Sequence, residues 1–374
     1  MNKFKFYFIV TITTLSLFSC DKNDPVEITP PRAYAEQYKT DIADIEKYLN
    51  TYYITVVNNP GKTDDQDVTI TKIPDGGTQR SIMSYKDAAT YPKLLIRNVK
   101  LHDVDYKLYY LVLRPGIGES PCNVDGVFTS YRGDYLQRVA ATTITPVTPE
   151  YISATKFEEI KFPQSFFSLY STVSGWGETF PQFKKGTFTT NNDGSVSYYD
   201  FGAGVMFLPS GLAYYNNGAG SIPAYSPLVF SFKLYEIQRL DQDNDGVPSF
   251  QEDLNGDGYV YIYSNTLNYP TPPDDEIRYA DDKPDKDGIP NFFDIDDDGD
   301  NYTTKLEITK PDGSNLLLDG PSLYYPYNPI ISTPTKATDE KRGIPSYDKV
   351  TKLFDYTSPG RLRIHIDKEY PIKP

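Results

Sequence analysis

Histidine, cysteine and tryptophan are scarce in this chain of 374 residues, which contains two histidines, two cysteines and a single tryptophan. Catalysis by a serine or cysteine nucleophile with a histidine base would depend on His102 or His365, and neither has a supporting motif around it. Because Cys20 belongs to the N-terminal signal described below, Cys122 has no partner for an internal disulfide. We therefore expect Cys122 to be a small buried side chain rather than a reactive thiol.

Long apolar runs are lacking beyond the N-terminus, and no later stretch is apolar enough to span a bilayer. Lys3 and Lys5 precede the run FYFIVTITTLSLF, which is too short for an ordinary membrane-spanning helix and is typical of a signal peptide. The run ends in LFSC, which resembles a bacterial lipobox and implies cleavage before Cys20 and a lipid on its thiol. The alternative is a plain secretory signal.

These features predict how the N-terminal part of the protein is organised. A signal peptide covers residues 1–19, and a polar, Pro-rich tether covers residues 20–34. The mature protein is then held at the cell envelope by the lipid on Cys20, on the outer membrane and facing either the periplasm or the cell surface.

Aromatic residues are abundant, with 33 tyrosines and 20 phenylalanines, and with frequent Pro and Gly they favour short strands and turns. Residues 41–50 show a helical apolar period, and residues 51–104 show no clear pattern. The sequence Asn192-Asp193-Gly194 is a tight-turn signal between β-prone runs. Strand-like runs continue to PLVFSFKLYEI, which alternates as a half-buried strand does, and GWGETFPQFKKG is the best candidate for a short helix. The predicted fold class is α+β, an antiparallel sheet with a short helix packed on it.

Four pieces of sequence, in a fixed order, carry a family resemblance. They are YYLVLRPGIGESPCNVDGVFTSYRGDYL, VSGWGETFPQFKKG, FLPSGLAYYNNGAGSIP and SPLVFSFKLYEI. Together they resemble the FKBP-type peptidyl-prolyl cis-trans isomerases, particularly the exported bacterial members. The resemblance covers residues 105–240, which we take as an isomerase domain, and it implies an antiparallel sheet wrapped around a short helix. Between the two, such proteins have a shallow aromatic pocket that takes the proline ring.

The resemblance also implies which residues form this pocket. Trp176 would be its floor, Val173 would offer its backbone N–H to the peptide carbonyl, and Tyr214 would supply a hydroxyl to the substrate. The walls would be Tyr131, Ile222 and Phe230.

Two positions depart from the family pattern. The family has a Phe-Asp pair after its second strand, and the best match here is Phe157 followed by Glu158 in KFEE. The family has glycine after Ala-Tyr, and this chain has Tyr215, which would crowd the pocket mouth.

The scarcity of acid–base residues agrees with this chemistry. Rotation about an Xaa-Pro bond crosses a barrier of ~18–20 kcal/mol without breaking any bond. An apolar pocket that excludes water and binds the twisted amide better than the planar amide lowers that barrier. No nucleophile, general base or catalytic cofactor is therefore required.

The net charge of −14 comes from one acidic segment, because residues 241–300 hold 18 acidic and three basic residues, a local charge of −15. Packed carboxylates repel one another unless a cation neutralises them. In DQDNDGVPSFQE, carboxylates and a glycine occupy EF-hand positions 1, 3, 5, 6 and 12, as Asp241, Asp243, Asp245, Gly246 and Glu252. DDDGDNYTTKLE repeats the spacing with Asp296, Asp298, Asp300 and Glu307, and has Asn301 in the glycine position.

Prolines inside the loops argue against helix–loop–helix pairs, and the segment instead resembles Asp-rich repeats of the thrombospondin type 3 kind. That resemblance implies structural Ca²⁺ over residues 241–309, in a segment of little regular structure. Two partial ligand sets follow the same logic, namely Asp253, Asn255 and Asp257, and Asp285, Asp287 and Asp294. The alternative is a solvated acidic linker without metal. We assign no function to the tail over residues 310–374.

Three functions stay open at this stage. The first is an active isomerase whose partners are proline-containing polypeptides among exported proteins. The second is a catalytically weak FKBP-fold module that binds polypeptides as a chaperone or as part of a surface assembly. The third is a calcium-stabilised spacer in which the acidic segment is the functional part. Nucleic acid is excluded as a partner because the chain is so acidic.

Overall fold

The computed structural model describes residues 30–371 apart from residues 144, 146, 284, 312–315, 332 and 334. The predicted signal peptide, Cys20 and most of the tether lie outside the described residues. The chain divides into two compact units, Met1–Arg32 and Ala33–Pro374, and every element named below belongs to the second. Within the described part, no helix has both the length and the apolar character needed to cross a membrane.

The largest element is an antiparallel sheet. Its strands are β3 (Lys93–Leu101), β4 (Val104–Arg114), β5 (Gly126–Val139), β6 (Tyr151–Ile160), β7 (Phe167–Ser168), β10 (Gly202–Leu208) and β11 (Leu228–Gln238). For the described residues the order is β3-β4-β10-β11-β5-β6, with β7 paired to β5. The sheet therefore begins earlier than the predicted domain start at residue 105, because β3 comes from the stretch without a clear sequence pattern.

Two short hairpins lie outside this sheet. They are formed by β1 (Tyr52–Val56) with β2 (Val68–Lys72), and by β8 (Thr187–Thr190) with β9 (Val196–Tyr199). The second hairpin contains the predicted Asn192-Asp193-Gly194 turn, in which the N–H of Gly194 donates to the carbonyl of Asn191 at 3.0 Å. The turn prediction is therefore confirmed.

Two helices pack on the sheet. Helix α1 (Tyr34–Thr51) begins seven residues before the predicted segment 41–50, and helix α2 (Ser174–Thr179) lies in the predicted GWGETF stretch. A 3₁₀ turn (Phe180–Gln182) continues α2 and has a proline in its first turn, where a missing N–H is tolerated.

Both faces of the sheet are covered, whereas the alternation in PLVFSFKLYEI predicted a half-buried strand. On one face, Phe230 and Phe232 belong to the buried cluster that contains Trp176 of α2. On the other face, Val229 belongs to a second cluster with Ile45 and Leu49 of α1. The strand alternates as predicted, but α1 shields the side that a single strand pattern assigns to solvent.

The described residues of the acidic segment and the tail form only short elements. These are α3 (Asp275–Arg278), α4 (Thr304–Glu307), α5 (Leu316–Asp319), β12 (Ser346–Tyr347), β13 (Phe354–Asp355) and 3₁₀ turns at Ser249–Gln251, Asn291–Phe293 and Ile364–Ile366. One small buried cluster joins the two regions, formed by Val247, Ile308, Tyr325, Ile344, Ile364 and Tyr370. The predicted boundary between residues 309 and 310 thus falls inside a shared core.

A second small cluster connects the acidic segment to the sheet region. It contains Cys122 and Val124 together with Val260 and Phe292. Cys122 is buried, and burial raises the pKa of its thiol to about 12. This agrees with the expectation that Cys122 packs as an apolar residue.

Candidate functional site

A cavity of about 420 Å³ opens between the sheet and α2. Six of the seven pocket residues expected from the family resemblance line it, and they come from β5, β6, β11, α2 and the turns next to them. They are Tyr131, Phe157, Val173, Trp176, Tyr214 and Phe230. Glu158 and Phe167 also line the cavity. The seventh expected residue, Ile222, is buried in the same apolar cluster as Trp176 but is not part of the lining.

The aromatic rings of the cavity meet edge to face. The ring centroid of Trp176 lies 5.0 Å from that of Tyr131 and 5.3 Å from that of Phe230, with interplanar angles of 84° and 88°. Phe157 and Phe230 are 5.6 Å apart at 89°. Such contacts hold the rings in fixed orientations, and they leave an apolar concave surface of the kind that binds a small ring.

One polar pair stands at the side of this cavity. The hydroxyl of Tyr131 donates a hydrogen bond of 2.7 Å to Oε2 of Glu158. Burial and this contact raise the pKa of Tyr131 above its ordinary value, so the phenol stays protonated. Glu158 thus lines the cavity as the hydrogen-bond partner of Tyr131.

Tyr214 and Tyr215 follow the 3₁₀ turn Ser210–Leu212 and point to different surroundings. Tyr214 lines the cavity with 38% of its surface exposed. Tyr215 has φ of +47° and is buried with its ring stacked on Tyr34 of α1, at a centroid distance of 4.0 Å. Tyr215 does not line the cavity, so the expected crowding of the pocket mouth is not found.

The turn before Tyr214 is anchored by a residue to which no role was assigned from the sequence pattern. Oδ2 of Asp41 in α1 accepts hydrogen bonds from the backbone N–H and the hydroxyl of Ser210, at 2.7 and 2.6 Å. Burial raises the pKa of Asp41 to about 6. The sequence contains one signal for this contact, because Asp41 is an acidic residue among the apolar positions of the predicted amphipathic helix.

The pocket helix is also tied to the acidic segment. Glu178 of α2 is buried, and its carboxylate accepts hydrogen bonds from Arg97 at 2.7 Å and from the hydroxyl of Tyr261 at 3.0 Å. The hydroxyl of Tyr259 donates to the backbone carbonyl of Glu178 at 3.1 Å. Tyr259 and Tyr261 thus connect the acidic segment to the helix that carries Trp176.

The first acidic loop brings most of its expected ligands together. One oxygen from each of Asp241, Asp243 and Asp245 lies within 4.8 Å of the others. Gly246 has φ of +104°, a conformation that side chains rarely adopt, and its N–H donates to Oδ2 of Asp241 at 3.1 Å. Burial and neighbouring carboxylates raise the pKa of Asp243 to about 8 and that of Asp245 to about 7.

The second acidic loop is built in the same way. Oxygens of Asp296, Asp298 and Asp300 lie within 4.8 Å of one another. Asn301 has φ of +73°, as expected for the residue in the glycine position. Glu307 is buried, and burial together with Asp298 and Asp296 raises its pKa to about 9.

Two further acidic residues belong to these clusters although the ligand spacing did not predict them. Asp297 lies with Asp245 and Glu252, and Asp282 lies with Asp285 and Asp287. Asp282 and Asp297 are each adjacent to another acidic residue in the sequence. Ligand spacing alone therefore cannot tell which residue of each pair belongs to a cluster. Of the two partial sets, Asp253 and Asp257 accept hydrogen bonds from backbone N–H groups of their own turn.

One direct observation indicates that these carboxylates suit a hard divalent cation. Both side-chain oxygens of Glu252 are buried and have no hydrogen-bond partner among the described residues. Burial and the nearby Asp297 and Asp245 raise its pKa well above the ordinary value. Calcium is bound in proteins by six to eight oxygens, often with a bidentate glutamate, which is the kind of ligand that Glu252 offers.

Comparisons with known proteins give one match to a family model and one to a curated protein. A family model described as BamM C-terminal matches residues 242–338, which cover most of the acidic segment and part of the tail. The FKBP-type peptidyl-prolyl cis-trans isomerase FkpA of Aeromonas hydrophila is 33% identical over 138 residues, which are 37% of this chain and 41% of that protein. The chain thus spans about two fifths of the length of this curated relative.

Solved structures with similarity to this chain include two bacterial proteins. A peptidyl-prolyl cis-trans isomerase of Pseudomonas syringae pv. tomato is 21% identical over 42% of this chain and 87% of that chain, with a TM-score of 0.27. FkpA from Escherichia coli is 24% identical over 41% of this chain and 55% of that chain, with a TM-score of 0.26. On the strength of the 33% match, part of the chain is similar in sequence to an FKBP-type isomerase.

Proposed function

We propose that this protein is a peptidyl-prolyl cis-trans isomerase that acts on Xaa-Pro bonds of exported polypeptides. One observation carries the proposal: six residues expected from the FKBP resemblance line a single aromatic cavity. The sequence similarity to the Aeromonas hydrophila isomerase also supports it. The proline ring would enter the cavity over Trp176, between Tyr131, Phe157 and Phe230.

The proposed mechanism uses desolvation and shape rather than acid–base chemistry. The twisted amide has lost resonance, so its carbonyl is less polar than that of the planar ground state. An apolar pocket therefore favours the twisted form, and interactions that are stronger in this form lower the barrier. The backbone N–H of Val173 and the hydroxyl of Tyr214 would orient the substrate carbonyls, and Tyr131 with Glu158 would fix the side wall.

Exchange NMR on a short Xaa-Pro peptide, with and without the purified protein in calcium, tests this proposal. We expect acceleration of cis–trans exchange, which is otherwise slow, with time constants of roughly 10–100 s at 25 °C. Tyr214→Phe keeps the ring and removes only the hydroxyl that would orient a substrate carbonyl, so it should reduce the acceleration. Tyr170→Phe is the matched control, since Tyr170 is similarly exposed, at 44%, and does not line the cavity. A folded protein that gives no acceleration would favour the non-catalytic binding module.

Two features favoured the binding module, namely the weak match of Phe157 and Glu158 to the Phe-Asp pair and the expectation that Tyr215 crowds the pocket. The first of these still stands. Because Tyr215 packs on Tyr34 instead, the second no longer supports it. The spacer hypothesis predicts that function survives without residues 105–240, and the built cavity gives it no support.

We also propose that the acidic loops bind structural Ca²⁺ and that the mature chain is anchored at the cell envelope by a lipid on Cys20. The calcium ligands would be Asp241, Asp243, Asp245, Glu252, Asp296, Asp298, Asp300 and Glu307. Calcium would neutralise carboxylates that otherwise repel one another in a segment with only a small apolar core. It would supply no chemistry to the isomerase pocket.

A further inference from the structure

Three buried carboxylates from the two acidic loops converge on one point. Asp245 and Glu252 come from the first loop, and Asp297 comes from the second. One oxygen of each lies within 4.8 Å of the other two, and the residues are only 2%, 2% and 1% exposed. Residues that are about 50 positions apart in the sequence therefore share one buried acidic centre.

This centre contains charge that the described residues do not neutralise. Both oxygens of Glu252 are buried without a hydrogen-bond partner. Among the described residues, the basic side chains recorded near the three carboxylates are Lys305, whose Nζ donates to the backbone carbonyl of Asn244, and His365. The Nε2 of His365 is 3.9 Å from Oδ2 of Asp297, beyond hydrogen-bond distance. Burial of a carboxylate costs free energy unless the carboxylate is paired with a basic group or coordinates a metal.

The surrounding backbone fixes the three side chains near one another. The N–H of Glu252 donates to the carbonyl of Ser249 at 3.2 Å, and the N–H of Asp297 donates to the hydroxyl of Thr304 at 3.2 Å. The loops are also joined directly, because Nζ of Lys305 donates to the carbonyl of Asn244 at 2.9 Å. The approach of the carboxylates is therefore imposed by the fold rather than by freely adjustable side chains.

We propose that Asp245, Glu252 and Asp297 bind one Ca²⁺ that bridges the two acidic loops, with Asp297 supplied to the first loop by the second. The inference rests on the proposed calcium binding and adds to it a shared ion and a new ligand. Calcium suits this centre better than magnesium, because magnesium retains several waters and is seldom held in a cage of protein carboxylates.

The bridge has a consequence for the tail. Val247 follows the first loop's ligand Asp245 by two residues, and Ile308 follows the second loop's Glu307 directly. Both are fully buried in the cluster that also contains Ile344 of the tail. A calcium ion that holds the loops together thus also holds the apolar platform on which the tail packs.

Calorimetric titration of the chelator-treated protein with CaCl₂ tests the shared site. Asp297→Asn and Glu252→Gln should each weaken the same class of binding events, by roughly 10- to 100-fold, since even residues that only support a metal ligand have effects of that size. The double variant should weaken that same binding event further and leave the other binding events unchanged, because both residues hold one ion. Glu276→Gln is the control, since Glu276 is acidic, exposed and outside the clusters.

A thermal measurement separates a ligand from a residue that merely packs. Without calcium, Asp297→Asn should melt higher than the wild type, because it removes one of three repelling charges. With calcium it should melt lower. If Asp297→Asn fails to fold, hydrogen exchange on Glu252→Gln takes its place: calcium should then protect the second loop less than in the wild type.

The outcomes distinguish the two levels of the proposal. If the wild type takes up no calcium, the proposed calcium binding itself fails. If the wild type binds calcium but Asp297→Asn titrates like Glu276→Gln, only the bridge is wrong. If the two single variants weaken two different binding events, two separate ions are bound and the bridge is likewise overturned.

Discussion

The hydroxyl of Tyr131 on β5 donates a 2.7 Å hydrogen bond to the carboxylate of Glu158 on β6, at the side of the aromatic cavity. In the strand register Glu158 lies opposite Gly133, next to an irregularity between Gly133 and Asp134. The absence of a side chain at Gly133 leaves room for the ring of Phe157, the residue before Glu158. The pair of Tyr131 and Glu158 gives the wall of the pocket a fixed polar edge.

Removing this hydrogen bond should lower isomerase activity without unfolding the protein. Tyr131→Phe keeps the ring that contacts Trp176 and removes only the donor. A hydrogen bond to a charged group contributes about 1.5–3 kcal/mol when it is buried, and less at a partly exposed site. We expect kcat/KM for an Xaa-Pro peptide to fall by up to about tenfold. Activity equal to that of the Tyr170→Phe control would show that the bond does not position the substrate.

Gly133 should control the position of Phe157. A Cβ added at Gly133 would lie 2.3 Å from Cζ of Phe157, far closer than two carbons can approach. Gly133→Ala should therefore push the Phe157 ring out of place and weaken the binding of a proline peptide, measured by NMR titration. Stability should change little, since the ring is at the pocket surface. Gly177→Ala, whose nearest contact would be 3.4 Å, should bind the peptide normally.

Asp41 should make stability depend on pH. Its pKa is raised to about 6 in the folded protein from 3.8 without burial. Between these values the unfolded chain releases a proton that the folded chain keeps, so the free energy of unfolding falls as pH rises through that window. The loss is about 3 kcal/mol, at about 1.36 kcal/mol for each pKa unit.

Denaturant unfolding at pH 4 and pH 7 in saturating calcium measures this effect. Asp41→Asn does not titrate, so the difference in unfolding free energy between wild type and variant should shift by about 2.4 kcal/mol in favour of the variant between pH 4 and pH 7. The shift is smaller than the full value of about 3 kcal/mol because at pH 4 the unfolded chain has already released part of this proton. A difference that stays constant with pH would mean that Asp41 is ionised throughout.

Calcium removal should loosen the acidic segment and the tail before it affects the sheet. The segment and tail share only the small cluster around Val247 and Ile308, whereas the sheet has large apolar clusters on both faces. Hydrogen exchange with and without chelator should show faster exchange over residues 241–371 and little change in β10 and β11. Equal protection in both conditions would contradict a structural role for calcium.

Several features of the protein follow from local sequence alone. The alternation in β11, the turn at Asn192-Asp193-Gly194 and the positive φ of Asn301 depend on a few neighbouring residues, and the structure has them as predicted. The pocket residues were identified by their order in a family pattern, and six of seven line one cavity. Short-range patterns predict these local features because strand pleating and turn geometry depend on only two to four neighbouring residues.

The tertiary structure decided what lies on the second face of the sheet and which distant residues meet. Helix α1 covers Val229, and Asp41 reaches Ser210 across 169 positions of sequence. Asp297 joins Glu252 although spacing assigned the two loops separate ligands. Such contacts depend on how complete elements pack, and a residue's neighbours in sequence carry no record of that packing.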